Sequence, residues 1–124
     1  MGGAPAFQEF ARSKIIPIQG DLIVEGLGIS PEDLELIVNE ADIFINSAAS
    51  VNFDDPLKDA LNINYFGAQR MLNLAKKCKK LKVFTHVSTA YVNCDRKGGE
   101  IEETIYEDDR DVEAIVKRIM DMSL

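Results

Sequence analysis

The chain has no tryptophan, a single histidine and only 7% aromatic residues in its 124 positions. Its two cysteines, Cys78 and Cys94, lack the close spacing of metal ligands, so neither a zinc site nor a disulfide scaffold is expected. Unpaired thiols fit an intracellular setting. No apolar run approaches the ~20 residues that cross a bilayer. Met1 to Ala11 also lacks the basic start and apolar stretch of a signal peptide. Positive charge is scarce: 14 Lys and Arg stand against 21 Asp and Glu, for a net charge of −7. That balance argues against non-specific nucleic-acid binding. Collagen, coiled coil, membrane span and disorder are excluded. What remains, with 46% hydrophobic and 28% charged residues, is one small α/β-type domain or a piece of one.

Ala6 to Ala11 puts Phe7, Phe10 and Ala11 on one helical face, too short to stand alone. Lys14 to Gln19 follows as a β-branched run interrupted by Pro17, which predicts an edge strand near 14–19 closed by Gly20-Asp21. Leu22 to Ile29 reads as a loop. Ser30 as N-cap, Pro31 at the first helical position and the acids Glu32 and Asp33 open an amphipathic helix near 31–41. Asp42 to Asn46 is apolar and nearly continuous, as in a strand buried on both faces of a parallel sheet. Asp55 and Pro56 start a long helix near 56–80, with Leu57, Leu61, Asn64, Ala68, Met71 or Leu72, and Ala75 on its inner face. Its lysine-rich end suits the C-terminal dipole. Lys82 to Val87 is a third strand, near 82–87. Past an acidic stretch from Glu100 to Glu113, a last helix is predicted near 110–122. Strand and helix alternate as in a partial Rossmann-like parallel sheet with crossover helices.

Ligands of open parallel sheets bind beyond the carboxyl ends of the strands. Three such ends are predicted: Gly20-Asp21-Leu22, Ser47-Ala48-Ala49-Ser50 and Ser88-Thr89-Ala90. The small residues of the second would let a bulky ligand approach the backbone. The hydroxyls of the third can hydrogen-bond a reacting carbonyl, and the acid of the first can accept from an exocyclic amine. Each, taken singly, is also plain turn chemistry.

Taken together they form a pattern: Ile16 to Leu22, Gly26 to Asp33, Ala48-Ala49-Ser50-Val51-Asn52-Phe53-Asp54, Asn64 to Gly67, His86-Val87-Ser88-Thr89-Ala90-Tyr91-Val92-Asn93 and Ile101 to Tyr106. Over about three quarters of the chain this resembles the fatty acyl-CoA reductases, the alcohol-forming branch of the extended short-chain dehydrogenase/reductase superfamily. The resemblance implies NADP(H) as cofactor and a long-chain acyl-CoA as substrate, reduced through the aldehyde to the alcohol. It further implies Asp21 and Leu22 at the adenine, Ala48 and Ala49 against ribose and pyrophosphate, and Asn64 supporting that part of the site. Thr89 would be the catalytic hydroxyl, with Ser88 just before it. No metal and no nucleic acid is implied. The parent enzyme would face the cytosol, associated with peroxisomal or endoplasmic-reticulum membranes.

Two features of that family are not found. No strand–turn–helix carries a G-x-x-G-x-x-G cradle; Gly2-Gly3 and Gly26-x-Gly28 read as loops. No Tyr-x-x-x-Lys occurs, because Tyr65, Tyr91 and Tyr106 are followed at the fourth position by Gln69, Asp95 and Arg110. In the order 3-2-1-4-5-6 the predicted strands would be numbers 3, 4 and 5, leaving number 3 roughly 14 Å from number 4. Residues 1–124 are therefore expected to be an internal fragment of a dinucleotide-binding domain, inactive alone. The alternatives are another extended short-chain dehydrogenase (a nucleotide-sugar epimerase or dehydratase, a steroid dehydrogenase, a terminal reductase of carrier-bound acyl chains) or a non-catalytic α/β interaction module. His86, within a strand, is expected to support rather than to catalyse.

Overall fold

The computed structural model describes residues 4–96, 98–107 and 109–123. Helix α1 (Ala4–Lys14) leads into residues 15–20, which form no regular element. A 3₁₀ turn (Glu25–Gly28), helix α2 (Pro31–Glu40) and strand β1 (Ile43–Asn46) follow. Helix α3 is continuous but changes winding: α over Leu57–Ala60, π over Leu61–Phe66, and α again over Gly67–Ala75. Strand β2 (Val83–His86) and helix α4 (Val112–Asp121) complete the order. β1 and β2 pair in parallel, Ile43 with Val83 through Asn46 with His86, joined by the α3 crossover. These are the neighbours expected of strands 4 and 5. Gly2-Gly3, read above as loop, lies outside the described residues.

The strand expected near 14–19 does not form. Lys14 ends α1, and Ile15 and Ile16 are 65% and 68% exposed. A β-strand is completed by a neighbour's backbone, and among the described residues the sheet contains β1 and β2 alone. Pro17 also has no N–H to donate.

α2 begins as its sequence requires. Ser30 Oγ accepts from the Asp33 amide at 3.1 Å, Pro31 occupies the first turn, and Glu32 and Asp33 face the positive end of the helix. α3 departs from expectation at both ends. Pro56 is its N-cap without any side-chain cap bond, because the Asp55 carboxylate is engaged by Ser50 and Asn52 instead. The helix stops at Ala75 rather than near 80. Lys77 and Cys78 make tighter turn bonds to Leu74 and Ala75, and the Lys79 amide is taken by the Val38 carbonyl at 2.9 Å.

The core is a cluster of Leu27, Phe44, Leu74 and Ala75, with Ile37 and Val38 of α2, Met71 of α3 and Phe84 of β2 packed against it. Phe44 and Phe84 stack at 6.3 Å. Leu27 reaches this core at a local cost. It has φ 64° between Gly26 and Gly28, both also at positive φ. A left-handed non-glycine residue costs about 1–2 kcal/mol, while burying a leucine side chain returns a similar or larger amount. Gly67 lets α3 approach the preceding loop: a Cβ there would stand 3.1 Å from Leu22 Cβ.

Candidate functional site

The β1–β2 register carries the two strand tips to one edge of the sheet. The Val87 amide donates to the Asn46 carbonyl at 2.9 Å, and beyond it Ser47-Ala48-Ala49 and Ser88-Thr89 leave side by side. A second bond fixes this edge. Asn46 is 2% exposed, and its Nδ2 lies 3.1 Å from His86 Nδ1. The His86 ring is exposed at this edge rather than placed in the core.

Asn64, in the π segment of α3, holds the loop after β1 by both backbone groups of one residue. Its Oδ1 accepts from the Ser50 amide at 2.8 Å and its Nδ2 donates to the Ser50 carbonyl at 3.2 Å. The π winding explains why the inner face of α3 was only partly foreseen. The wider winding shifts the phase, so that past it Gly67 and Leu74 are buried alongside the expected Ala75. π-segments recur at functional sites.

Asp21 and Leu22 follow an irregular segment, yet they reach the same helix. Leu22 packs on Gly67, and its carbonyl accepts from Arg70 Nη1 at 2.8 Å. Arg70 also binds the Asn62 carbonyl and side chain, at 3.2 and 3.1 Å, inside the π segment. Asp21 is exposed, with Oδ1 accepting from the Ile23 amide at 3.0 Å. Ala48, Ala49, Ser88 and Thr89 are exposed, and Thr89 Oγ1 accepts from the Tyr91 amide at 3.3 Å. The structure therefore groups the two strand tips and attaches Leu22 to the stretch of α3 that carries Asn64. No hydrogen bond among the described residues joins Thr89 to the other predicted site residues.

Asn46 and Arg70 were not anticipated. Asn46 was legible as the one amide ending an apolar strand, at a position whose alternation with Phe44 puts it inside. Arg70 carried no such signal. Among the described residues, one surface depression is lined by Arg96, Gly98, Gly99 and Tyr106, and another by Tyr65, Phe66, Val116 and Met120 between α3 and α4. Neither contains a predicted site residue. Cys78 and Cys94 are free, and burial pushes the Cys78 thiol pKa up. No helix among the described residues is long and apolar enough to cross a membrane.

Residues 3–123 match the family model described as male sterility protein, an NAD-binding family. The chain belongs to that family. It is 41% identical over 113 residues to fatty acyl-CoA reductase 1 of Xenopus laevis, covering 90% of this chain and 22% of the relative. It is 41% identical over 98 residues to the chloroplastic fatty acyl-CoA reductase 2 of Arabidopsis thaliana, covering 79% of this chain and 16% of that protein. Fatty acyl-CoA reductase 1 of Arabidopsis thaliana is 46% identical over 88 residues, covering 70% of this chain and 18% of that protein. The chain thus spans about a fifth of the length of these relatives. The resemblance to the fatty acyl-CoA reductases and the nicotinamide-dinucleotide class of cofactor both stand, on a partial Rossmann-like sheet.

The residues present fit part of such a cofactor. Exposed alanines at the carboxyl edge of a parallel pair leave backbone open to a ribose or phosphate. A glycine-rich phosphate cradle is not among the described residues.

Proposed function

We propose that this chain is an internal piece of an NADPH-dependent fatty acyl-CoA reductase, reducing an acyl thioester to the alcohol by way of the aldehyde. One observation supports this most: the register of β1 and β2 juxtaposes the alanine tip and the Ser88-Thr89 tip, with Asn64 clamping the loop between β1 and α3. In this reading Ala48 and Ala49 line the ribose and pyrophosphate. Asp21 accepts from the adenine amine, using Oδ2 while Oδ1 stays with Ile23. Leu22 lies against the same ring, and Ser88 adds a hydroxyl beside the cofactor.

Thr89 holds the substrate carbonyl. Its Oγ1 already accepts from Tyr91, which leaves its O–H to donate to the carbonyl oxygen. When bound, the nicotinamide supplies hydride; two hydrides and two protons convert the thioester to an alcohol and a free thiol. No tyrosine here is followed four residues later by lysine. The proton donor of that pair, and the phosphate cradle, belong to other parts of the enzyme, and the 124-residue chain alone is inactive. The parent faces the cytosol, at a peroxisomal or endoplasmic-reticulum membrane.

The test is product analysis with the full-length protein that carries this segment, given hexadecanoyl-CoA and either NADPH or NADH. Hexadecanol formed preferentially with NADPH is expected, with kcat/KM lowered on the order of a hundredfold by Thr89→Val. Failure to consume any acyl-CoA, or full activity in Thr89→Val, overturns the reading.

A further inference from the structure

The loop between β1 and α3 is built inside out. The side chains of Ser50, Asn52 and Asp55 bond to one another. Ser50 Oγ donates to Asp55, Asn52 Nδ2 donates to the other Asp55 oxygen at 2.6 Å, and the Asp54 amide donates to Asn52 Oδ1 at 3.3 Å. Asn64 then fastens Ser50 to α3. The apolar residues of the same loop turn outward: Val51 is 86% exposed and Phe53 90%. A floppy loop would bury a phenylalanine by collapsing onto the nearest apolar surface. Here the side-chain bonds oppose that collapse, and the ring is held in solvent.

Phe53 also has a specific neighbour. Its ring meets that of Tyr91 edge-to-face, centroids 6.4 Å apart and planes at 79°. Tyr91 belongs to the other strand tip and is joined to Thr89 by the bond from its amide to Thr89 Oγ1. The aromatic pair therefore bridges the two tips, one hydrogen-bonded turn from the hydroxyl assigned to the carbonyl. An acyl group held at that hydroxyl must carry its alkyl chain away over some surface. Around that turn the exposed apolar surface is made by this pair together with Val51 and Val92, the latter donating its amide to the Thr89 carbonyl.

We propose that Phe53 and Tyr91 form the seat of the fatty acyl chain, contributing affinity in proportion to chain length. This rests on the reductase reading above. It assigns specificity, not chemistry: Phe53 touches methylene groups and takes no part in hydride or proton transfer. Methylenes that leave water against the rings each gain a fraction of a kilocalorie or more, so a long chain profits where a short one does not.

The experiment compares full-length wild type with Phe53→Ala and Phe53→Leu, measuring KM for hexanoyl-CoA and hexadecanoyl-CoA, KM for NADPH, and the melting transition. Phe53→Ala should raise the hexadecanoyl-CoA KM about tenfold relative to hexanoyl-CoA. Phe53→Leu should recover most of that loss, with the NADPH KM and the melting transition unchanged. Equal effects on both chain lengths, or none, overturn the seat while wild-type activity preserves the reductase reading. A collapsed melting transition in Phe53→Ala also overturns it, because the ring would then be packed against another segment of polypeptide. A wild type without acyl-CoA reduction ends both.

Discussion

Along β1, Phe44 and Asn46 are buried, while Ile43 and Ile45 are 56% and 66% exposed. On β2, Val83 is 45% exposed, whereas Phe84 packs against the core. The three apolar residues of β1 and β2 that lie outside the core, Ile43, Ile45 and Val83, are as hydrophobic as those within it. The two faces differ only in what lies over them: α2 and α3 cover one, and no described element covers the other. A parallel strand invites burial on both sides, and the alternation of side chains guarantees two faces, but neither guarantees a covering layer. Hydropathy marks a residue as able to be buried; a neighbour decides whether it is.

Mutation can break this comparison. Phe44→Ala should cost about 3–5 kcal/mol of folding stability, the usual loss for a buried phenylalanine, whereas Ile45→Ala should stay within about 0.5 kcal/mol. Chemical denaturation of the two variants measures the contrast. Equal losses would mean that the Ile43/Ile45 face is covered in solution.

The covered face depends on α2 being held in place, so its cap offers a smaller probe. Ser30→Ala removes the acceptor for the Asp33 amide and should cost about 1 kcal/mol. A loss well above this would indicate that α2 unravels as a unit rather than fraying at its first turn.

The smallest effect lies where the two strands begin, at the Asp42–Lys82 ion pair of 2.8 Å. The hydrogen bond from Lys82, then its charge, holds the Asp42 carboxyl below its ordinary 3.8. A group with a depressed folded pKa stabilises above its unfolded value, and that contribution disappears as pH falls through the folded value. Lys82, raised above 10.5 chiefly by its hydrogen bond to Asp42 and then by that residue's charge, contributes below that pH and ceases to do so as pH rises through the folded value. Both groups are solvent-exposed, so salt should weaken the effect. Carboxyl NMR titration should find the Asp42 midpoint below 3.8 in wild type and returned upward in Lys82→Met. An unchanged midpoint would remove the pair from the account.

Much of the architecture was readable locally. Ser30, Pro31, Glu32 and Asp33 announce α2 because capping is a transaction between residues three apart. In α4 the structure adds a cap not foreseen, the Asp111 carboxylate accepting from the Ala114 amide at 2.9 Å. β1 and β2 were legible as short apolar runs bounded by small residues. Residues 14–19 carried a similar run and formed no strand, since nothing in a run states whether a partner backbone lies beside it. The site divides likewise. Ala48, Ala49, Ser88 and Thr89 were conspicuous as small residues after strands. The Asn46–His86 contact and the bond from Arg70 to the Leu22 carbonyl join residues far apart in sequence and had no local signature.

By itself the sequence determined the start of α2, the two strands, the acidic balance and the family, because each depends on residue type, short-range spacing or direct likeness. Tertiary structure alone decided which face of β1 is covered, that α3 widens into a π-helix around Asn64, and that Leu27 enters the core through a left-handed turn. Those outcomes depend on groups distant along the chain competing for the same space and the same hydrogen bonds, and such competition is resolved only once the backbone has closed on itself.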